Sequence, residues 1–215
     1  MRKIANKEFK EMDKVARLNL INSSTGYKSV NLIGSISKEG KENLAIFSSV
    51  THLGSDPALL GFIMRPATVP RDTYKNIQET SYFTVNHLTE NLIQRAHQTS
   101  ANYKEGISEF EETKIESEYF DEIKQPFVKE SPVKLLCKYV NEYPIVENGC
   151  IHIIASIEAI YFEEVMLNND YWLQLDKGNI VTVNGLDGYC LPKLIDRFEY
   201  ARPNSMVKSM LKNGS

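Results

Sequence analysis

Two segments of the chain, VKLLCKYVNEY at Val133–Tyr143 and GCIHIIASIEAIYFEEV at Gly149–Val165, decide the fold class. In the second segment, apolar and aromatic side chains occupy every other position: Ile151, Ile153, Ala155, Ile157, Ala159 and Tyr161. An alternation with a period of two places these side chains on one face of a β-strand. Neighbouring long strands, each with an apolar inner face, are typical of a β-barrel. The two segments therefore predict a mainly β fold built from antiparallel strands.

The chain before these strands predicts a hairpin and two further strands. Apolar residues alternate from Lys28 up to the charged turn SKEGKEN, which contains Gly40, and LAIFSSV then resumes an extended pattern. ALLGFIM at 58–64 is too apolar for a strand with one face in solvent, so both of its faces are expected to be buried. SYFTVNHL at 81–88 is rich in aromatic and β-branched residues and predicts another strand. In all, about six strands and a few peripheral helices are expected.

The helices are predicted at the edges of this framework. Apolar residues recur at helical spacing between Lys7 and Leu20, which predicts an amphipathic helix over one end of the sheet. ENLIQRAHQ at 90–98 is also expected to be helical. Residues 103–132 are acidic and irregular, and they predict a long surface excursion whose anchors are Phe110, Tyr119, Phe120 and Phe127.

Length, composition and charge define the class of protein. The 215 residues contain 42% hydrophobic and 25% charged residues, and no linker divides the chain, which predicts a single domain over 1–215 with an N-terminal helical segment at 1–27. The formal charge of −3 argues against a nucleic-acid-binding protein and favours a small-molecule partner. No signal peptide or run of about 18 apolar residues is present, so no membrane contact and a cytoplasmic location are expected.

Several common catalytic and metal-binding patterns do not occur in the sequence. The three cysteines, Cys137, Cys150 and Cys190, are widely spaced, which argues against a disulfide framework or a zinc ribbon. The four histidines form no HExxH motif, and no metal site is expected. A serine hydrolase, a Rossmann domain and a P-loop nucleotide triphosphatase are disfavoured because the GxSxG, GxGxxG and P-loop patterns are missing.

The stretch RPATVPRDTYKNIQET at 65–80 combines two arginines with hydroxyl groups before a predicted helix. If the helix begins near Asp72 or Thr73, its unpaired N–H groups and its dipole favour an anion in front of it. Arg65 and Arg71 would add charge-assisted donors, and Thr68 and Thr73 would add hydroxyls. Alternatively, Asp72 caps the helix and Arg71 is a solvated surface charge. The residues themselves leave both interpretations open.

The segment NLAIFSSVTHLGSDP at 43–57 places Ser48, Ser49 and Thr51 among apolar residues. A buried hydroxyl needs a hydrogen-bond partner, because its desolvation is otherwise unfavourable. These hydroxyls therefore indicate either a polar ligand against the strand or hydrogen bonds to the neighbouring backbone.

Together these segments carry a resemblance to a known family. NLIGSISKEGKENLAIFSSVTHLGSDPALLGFIMRP, followed by RDTYKNIQETSYFTVNHL, resembles the flavin reductase-like proteins of the FMN-binding split-barrel group, the relatives of flavoredoxin. The similarity continues more loosely through AHQTSANYKEGISEFEETKI and GLDGYCLPKLIDRFEYARP. The order and spacing of these segments, rather than a single motif, carry the resemblance.

The resemblance implies a split, Greek-key-like antiparallel barrel that forms a homodimer, with FMN in a groove near the subunit interface. The family pattern N-x-A-x-x-S matches Asn43, Ala45 and Ser48, and Phe47 to Thr51 would contact the flavin ring through side chains and backbone. The residues implied in flavin binding from this segment are Asn43, Phe47, Ser48, Ser49, Val50 and Thr51.

The same resemblance assigns the anion of the arginine-rich stretch. The family's threonine before its Asn-Ile pair matches Thr73, which precedes Asn76 and Ile77. Arg65, Thr68 and Arg71 then become candidate ligands of the flavin phosphate.

More peripheral candidates for contact with the flavin edge are His97 and Ser100, although His97 is equally consistent with an ordinary structural histidine. Tyr189, in GLDGYC, is a candidate for closing over the cofactor, or else a residue of a tight turn.

The implied activity is transfer of hydride from NADH or NADPH to the flavin, for which no catalytic acid or base is assigned because the cofactor carries the redox chemistry. FAD is an alternative cofactor. Two other interpretations remain open at this point: a non-enzymatic FMN carrier or electron-transfer protein, and an oxidase of the pyridoxamine-phosphate type.

Overall fold

The computed structural model describes residues 1–66, 71–104, 106–120 and 122–211 of the chain. Within these residues, twelve strands and five α-helices are formed, together with three short 3-10 turns. The strands are β1 (Tyr27–Ser29), β2 (Asn31–Ile36), β3 (Glu42–Phe47), β4 (Thr51–Ser55), β5 (Ala58–Met64), β6 (Tyr82–His87), β7 (Ser117–Glu118), β8 (Phe127–Val128), β9 (Val133–Ile145), β10 (Cys150–Phe162), β11 (Thr182–Asn184) and β12 (Gly188–Cys190). The helices are α1 (Asn6–Glu11), α2 (Lys14–Ser24), α3 (Asp72–Thr80), α4 (Ile93–Gln98) and α5 (Glu109–Thr113).

The central element is a seven-stranded sheet in the order β3-β2-β6-β9-β10-β5-β4, in which every pair of neighbours is antiparallel. β3 and β4 are consecutive in the chain but lie at opposite edges of the sheet, which therefore curls without closing. The sequence-based prediction of a mainly β, antiparallel fold is confirmed. β9 and β10, predicted from their alternation, are the two longest strands, with 13 residues each.

The inner face of the sheet carries one hydrophobic core, which includes Ile33, Phe62, Phe83 and Ile153. α3 packs against β2 and β3, and its Ile77 belongs to this core. A second core, which includes Leu32, Leu44 and Leu88, lies on the opposite face. Alternate residues of β2 and β3 therefore face different cores, as the period of a strand requires.

Several predicted elements are found with modified bounds. The hairpin between β2 and β3 turns at Gly40, where φ is +84°. The single helix expected at Lys7–Leu20 is divided into α1 and α2, because Asp13 accepts hydrogen bonds from Val15 N and Ala16 N and so caps a new helix. Neither helix has a buried residue, although Phe9, Met12 and Leu20 are half-buried, and the expected cover over one end of the sheet stays a prediction.

The predicted surface excursion at 103–132 contains more order than expected. It forms α5 and a small two-stranded sheet of β7 and β8. Its anchors include Phe110 and Phe127, which are buried, and Phe120, whose ring stacks on Tyr161 at 4.4 Å between centroids. No helix in the described parts of the chain is long and apolar enough to cross a membrane.

Candidate functional site

The first turn of α3 meets the edge of the sheet through a buried polar cluster. Asn43 on β3 donates from Nδ2 to Thr73 Oγ1 at 2.9 Å and to Ser35 Oγ at 3.2 Å. Asn76, one turn along α3, donates from Nδ2 to Ser35 Oγ at 3.1 Å. All four side chains are buried. Three predicted site residues, Asn43, Thr73 and Asn76, are thus brought together.

The cluster leaves a donor available at the helix start. Thr73 Oγ1 already accepts from Asn43, so its hydroxyl proton can be donated only to another group. Because Thr73 is the second residue of α3, that proton lies where the helix dipole favours an anion. The local geometry is therefore suited to a ligand with negatively charged oxygens.

Arg71 lies immediately before α3 and adds a positive charge that favours an anion there. It occupies the N-cap position, and no side chain within the described residues caps the helix. Asp72 is the first helical residue, so the interpretation of Asp72 as the cap is wrong. Arg71 Nε is buried and makes no hydrogen bond to any other described residue. A buried guanidinium N–H without a partner is unfavourable unless a ligand accepts from it.

Two further anion ligands were predicted before α3, namely Arg65 and Thr68. Arg65 is exposed directly after β5. Thr68 lies outside the described residues.

Two carboxylates also lie close to the helix start. Glu109 at the beginning of α5 accepts from Leu44 N at 3.1 Å, and its charge repels that of Asp72. Burial raises the pKa of Glu109, and the hydrogen bond from Leu44 opposes this shift. The site therefore balances the positive charge of Arg71 against two acidic groups.

Glu109 also shows which way the edge of β3 faces. Since the N–H of Leu44 bonds to Glu109, it points away from β2, and the N–H of Ile46 two residues later lies along the same open edge. Backbone donors and acceptors on an open strand edge are available to a ligand. Beyond the bond at Leu44, the edge at Ile46 and Phe47 thus continues from the anion end of the site.

The loop from β3 to β4 closes the other end of this edge. Ser49 Oγ donates to Ile63 O at 3.3 Å and accepts from Ile63 N at 3.0 Å, so its hydroxyl is bonded to the backbone of β5, as the alternative interpretation holds. Phe47 packs edge to face against Phe62, with 5.2 Å between centroids. Half-buried Val50 accepts from Ser29 Oγ at 2.6 Å. The loop is therefore held in a fixed position.

Ser48 and Thr51 differ in their exposure. Ser48 is half-buried between β3 and the turn, and Thr51 is exposed at the start of β4. Both hydroxyls remain available to a ligand, and their predicted contact with the flavin stays a prediction.

His97 lies on α4, which contacts β3, and Ser100 follows this helix. His97 Nδ1 is 2.9 Å from the hydroxyl of Tyr189, and Ser100 Oγ donates to His97 O at 2.7 Å. Tyr189 packs against the core that contains Leu44, whereas Asn43 faces the opposite side of β3. Burial raises the pKa of Tyr189, which keeps its hydroxyl protonated. His97 and Tyr189 thus form a pair of their own, and their predicted contact with a cofactor stays a prediction.

Two residues of the site were not found from sequence. Ser35 Oγ accepts hydrogen bonds from the buried amides of Asn43 and Asn76. Glu109, which is 65 positions from Leu44 in the sequence, accepts from the N–H of that residue on β3. Ser35 did carry a signal, because it is a polar residue that shares the inner face of β2 with Ile33. For Glu109, nothing in the surrounding acidic run indicates which carboxylate lies against β3.

The chain is similar in sequence to known proteins. Residues 27–174 match the model of the family described as flavin reductase like domain. A curated but uncharacterized protein of Aquifex aeolicus is 26% identical over 151 residues, which cover 69% of this chain and 76% of that protein. The family match spans all of the strands of the central sheet.

Two solved structures show the same fold. A protein of Shewanella frigidimarina NCIMB 400, provisionally assigned as a flavin reductase with a split barrel domain, is 37% identical and superposes with a TM-score of 0.90, covering 94% of this chain and 100% of that one. Flavoredoxin of Desulfovibrio vulgaris (Miyazaki F) is 18% identical, with a TM-score of 0.68 over 83% of this chain and 92% of its own, and shows the fold alone. The predicted split barrel and the resemblance to flavoredoxin relatives are confirmed.

Proposed function

The chain belongs to the flavin reductase like domain family, and we propose that it binds FMN in the groove between α3 and the open edge of β3 and acts as an NAD(P)H-dependent flavin reductase. The observation that carries this proposal is the start of α3. There the buried Nε of Arg71 has no partner among the described residues, and the hydroxyl of Thr73 still has a proton to donate.

The phosphate of FMN is the group suited to this end of the groove. A phosphate carries the negative charge that the dipole of a nine-residue helix favours, and its oxygens accept from guanidinium, hydroxyl and backbone N–H donors. Arg71 and Thr73 would hold it, with Arg65 as a further cation nearby. The order of these groups along the chain agrees with the resemblance noted above.

The ring of the flavin would lie along β3. The open edge near Ile46 offers backbone groups in the plane of the strand, and Phe47 and Val50 offer apolar surface beside it. Asn43 joins the two ends of the groove, since its amide holds both β3 and Thr73. The chain therefore positions the ring by rigid elements rather than by a mobile loop.

When bound, the flavin supplies the hydride and electron chemistry. The contribution of the chain is to bind the phosphate, to orient the ring against β3 and to keep one face of the ring covered by protein. No side chain of the groove is required as an acid or base. The buried polar cluster around Ser35 serves to fix the geometry.

We further propose that the protein acts as a homodimer with the flavin near the interface. The C-terminal segment supports this, because large apolar side chains are exposed along it: Leu191, Ile195, Phe198, Tyr200, Met206 and Val207. Several large exposed apolar side chains within one segment are typical of an interaction site. Sedimentation velocity tests the dimer, and a monomer that still binds FMN would contradict it.

An FMN carrier that does not oxidise NAD(P)H would use the same groove. The experiment that separates the two functions is an absorption titration with FMN, followed by anaerobic addition of NADH and of NADPH. Bleaching of the bound flavin at a rate above that of free flavin supports the reductase and identifies its donor. Bound flavin that stays oxidised favours the carrier, and failure to bind FMN contradicts both.

A further inference from the structure

A separate cavity of about 650 Å³ lies at the other end of α3. Its walls are the turn of the β2–β3 hairpin, Thr80, Tyr82 and residues 122–125. This volume is within the range of roughly 300 to 1,000 Å³ of pockets that hold small organic molecules. Thr73 and Thr80 are seven residues apart on α3, which places the cavity about 10 Å along the helix axis from the proposed phosphate position.

Gln125 provides the polar group of this cavity. Gln125 is 8% exposed and lies in the wall of the cavity. The amide offers a C=O and an N–H group in one plane, and it is complemented by a ligand that presents N–H and C=O side by side.

The segment that carries Gln125 is held firmly against the sheet. Thr84 Oγ1 donates to Pro126 O at 2.7 Å, and Phe127 is fully buried. Gly34 allows this approach, since a Cβ at that position would lie 2.3 Å from Pro126 O. The amide of Gln125 is therefore positioned in advance of any ligand, which reduces the entropy lost on binding.

The rest of the cavity selects against charge. Ile36, Ile123 and Leu136 form apolar walls beside the ring of Tyr82. The charged residues described at its rim are two lysines and two glutamates, namely Lys38, Lys124, Glu39 and Glu122, whose formal charges sum to zero. A rim of this kind does not favour an anion or a cation, and apolar walls that include an aromatic side chain favour a planar ring.

We propose that this cavity is a second binding site, and that it takes a neutral, planar heterocycle of two or three rings whose edge presents an amide N–H and C=O side by side to Gln125. The site is distinct from the groove at the start of α3, and its existence does not depend on flavin binding there.

The test uses quinazoline-2,4-dione, a neutral two-ring compound with such an edge, and its 1,3-dimethyl derivative, which has no N–H. Binding is measured by isothermal titration calorimetry and mapped by the shifts of backbone amide signals in the NMR spectrum. We expect saturable binding of the first compound, shifts centred on Tyr82, Gln125 and Leu136, and binding of the dimethyl compound weaker by about tenfold or more.

Variants locate the contact. Gln125→Leu is expected to weaken binding of quinazoline-2,4-dione by about tenfold or more, while Gln94→Leu, a change at an exposed position of α4, leaves it unaltered. If Gln125→Leu fails to fold, the comparison of the two compounds on the unmodified protein still decides the matter. Absence of binding, equal binding of both compounds, or displacement of the compound by FMN would each overturn the proposal.

Discussion

The side-chain amide of Asn43 donates a hydrogen bond to Thr73 Oγ1 over 2.9 Å, and both residues are buried. This contact joins the edge strand β3 to the first turn of α3, so the two walls of the proposed flavin groove are fixed relative to each other. It also orients the hydroxyl of Thr73, whose proton is left for a ligand. The groove is thus organised by polar contacts that do not themselves require a bound molecule.

Replacement of Thr73 by valine removes this hydroxyl and keeps the shape of the side chain. Loss of a hydrogen bond to a charged phosphate costs about 1.5 to 3 kcal/mol, so we expect FMN to bind about 10- to 100-fold more weakly. Fluorescence titration with FMN measures the change. Thr80→Val, at the opposite end of α3, is the matched control and should leave FMN affinity almost unaltered. Equal affinity of Thr73→Val and the unmodified protein would contradict the assignment of Thr73.

Replacement of Arg71 by methionine tests the charge at the helix start. The guanidinium with its unpaired Nε is removed, while most of the apolar stem is kept. We expect FMN to bind about tenfold or more weakly, and riboflavin, which has no phosphate, to bind as before. Arg2→Met, at an exposed position of the N-terminal segment, is the control. A similar loss for FMN and riboflavin would show that Arg71 supports the fold rather than the phosphate.

Much of the barrel follows from local patterns in the sequence. β5 and β6 are recognisable because apolar and β-branched residues are bounded by turn signals, and the β2–β3 hairpin because Gly40 tolerates a positive φ. The division between α1 and α2 was missed although Asp13 is a strong N-cap residue, since the apolar spacing continues across it.

The contacts that complete the groove could not be predicted from local pattern. The bond from Leu44 N to Glu109 depends on how residues 103–132 fold back, and nothing in the acidic run distinguishes Glu109 from its neighbours. The convergence of Asn43 and Asn76 on Ser35 likewise requires the position of α3 relative to the sheet. The family resemblance points to Asn43 and Asn76, but the local sequence pattern does not indicate which groups form hydrogen bonds with their amides.

Replacement of Ser35 by alanine should destabilise the fold. Ser35 Oγ accepts from two buried amides, and its removal leaves Asn76 Nδ2 without the acceptor it has in this structure. We expect the free energy of unfolding to fall by about 2 kcal/mol. Urea denaturation measures the change, and Ser156→Ala on β10 is the control because its hydroxyl is only partly buried. A loss below about 0.5 kcal/mol would mean that the cluster contributes little to stability.

Gly34→Ala should be more disruptive than most small substitutions. The added Cβ would lie 2.3 Å from Pro126 O and 2.6 Å from Thr84 Oγ1, so the segment at 125–127 would have to move away from β2. We expect a loss of at least about 2 kcal/mol in the free energy of unfolding. Gly54→Ala, where the nearest atom described is 3.2 Å away, should have a much smaller effect in the same denaturation experiment. Equal effects would show that Pro126 can retreat without cost.

His87 should make the stability of the protein depend on pH. It faces Asn31 across the β2–β6 pair, and burial lowers its pKa from 6.5 to about 4. Because the folded pKa is the lower one, the unfolded chain binds more protons between these values. The stabilisation is therefore complete above pH 6.5 and is lost as the pH falls towards 4.

From this shift we expect His87 to account for a loss of about 2 kcal/mol between about pH 7.5 and about pH 5. Urea denaturation at both pH values measures it. Carboxylates also titrate in the lower part of this range, so the quantity to compare is the pH-dependent loss in the unmodified protein and in His87→Gln. On acidification, the free energy of unfolding of His87→Gln should fall by about 2 kcal/mol less than that of the unmodified protein. His52→Gln, at an exposed position, should behave like the unmodified protein. The same loss in all three would show that His87 is protonated in the folded state at pH 5, and that the space around it admits water.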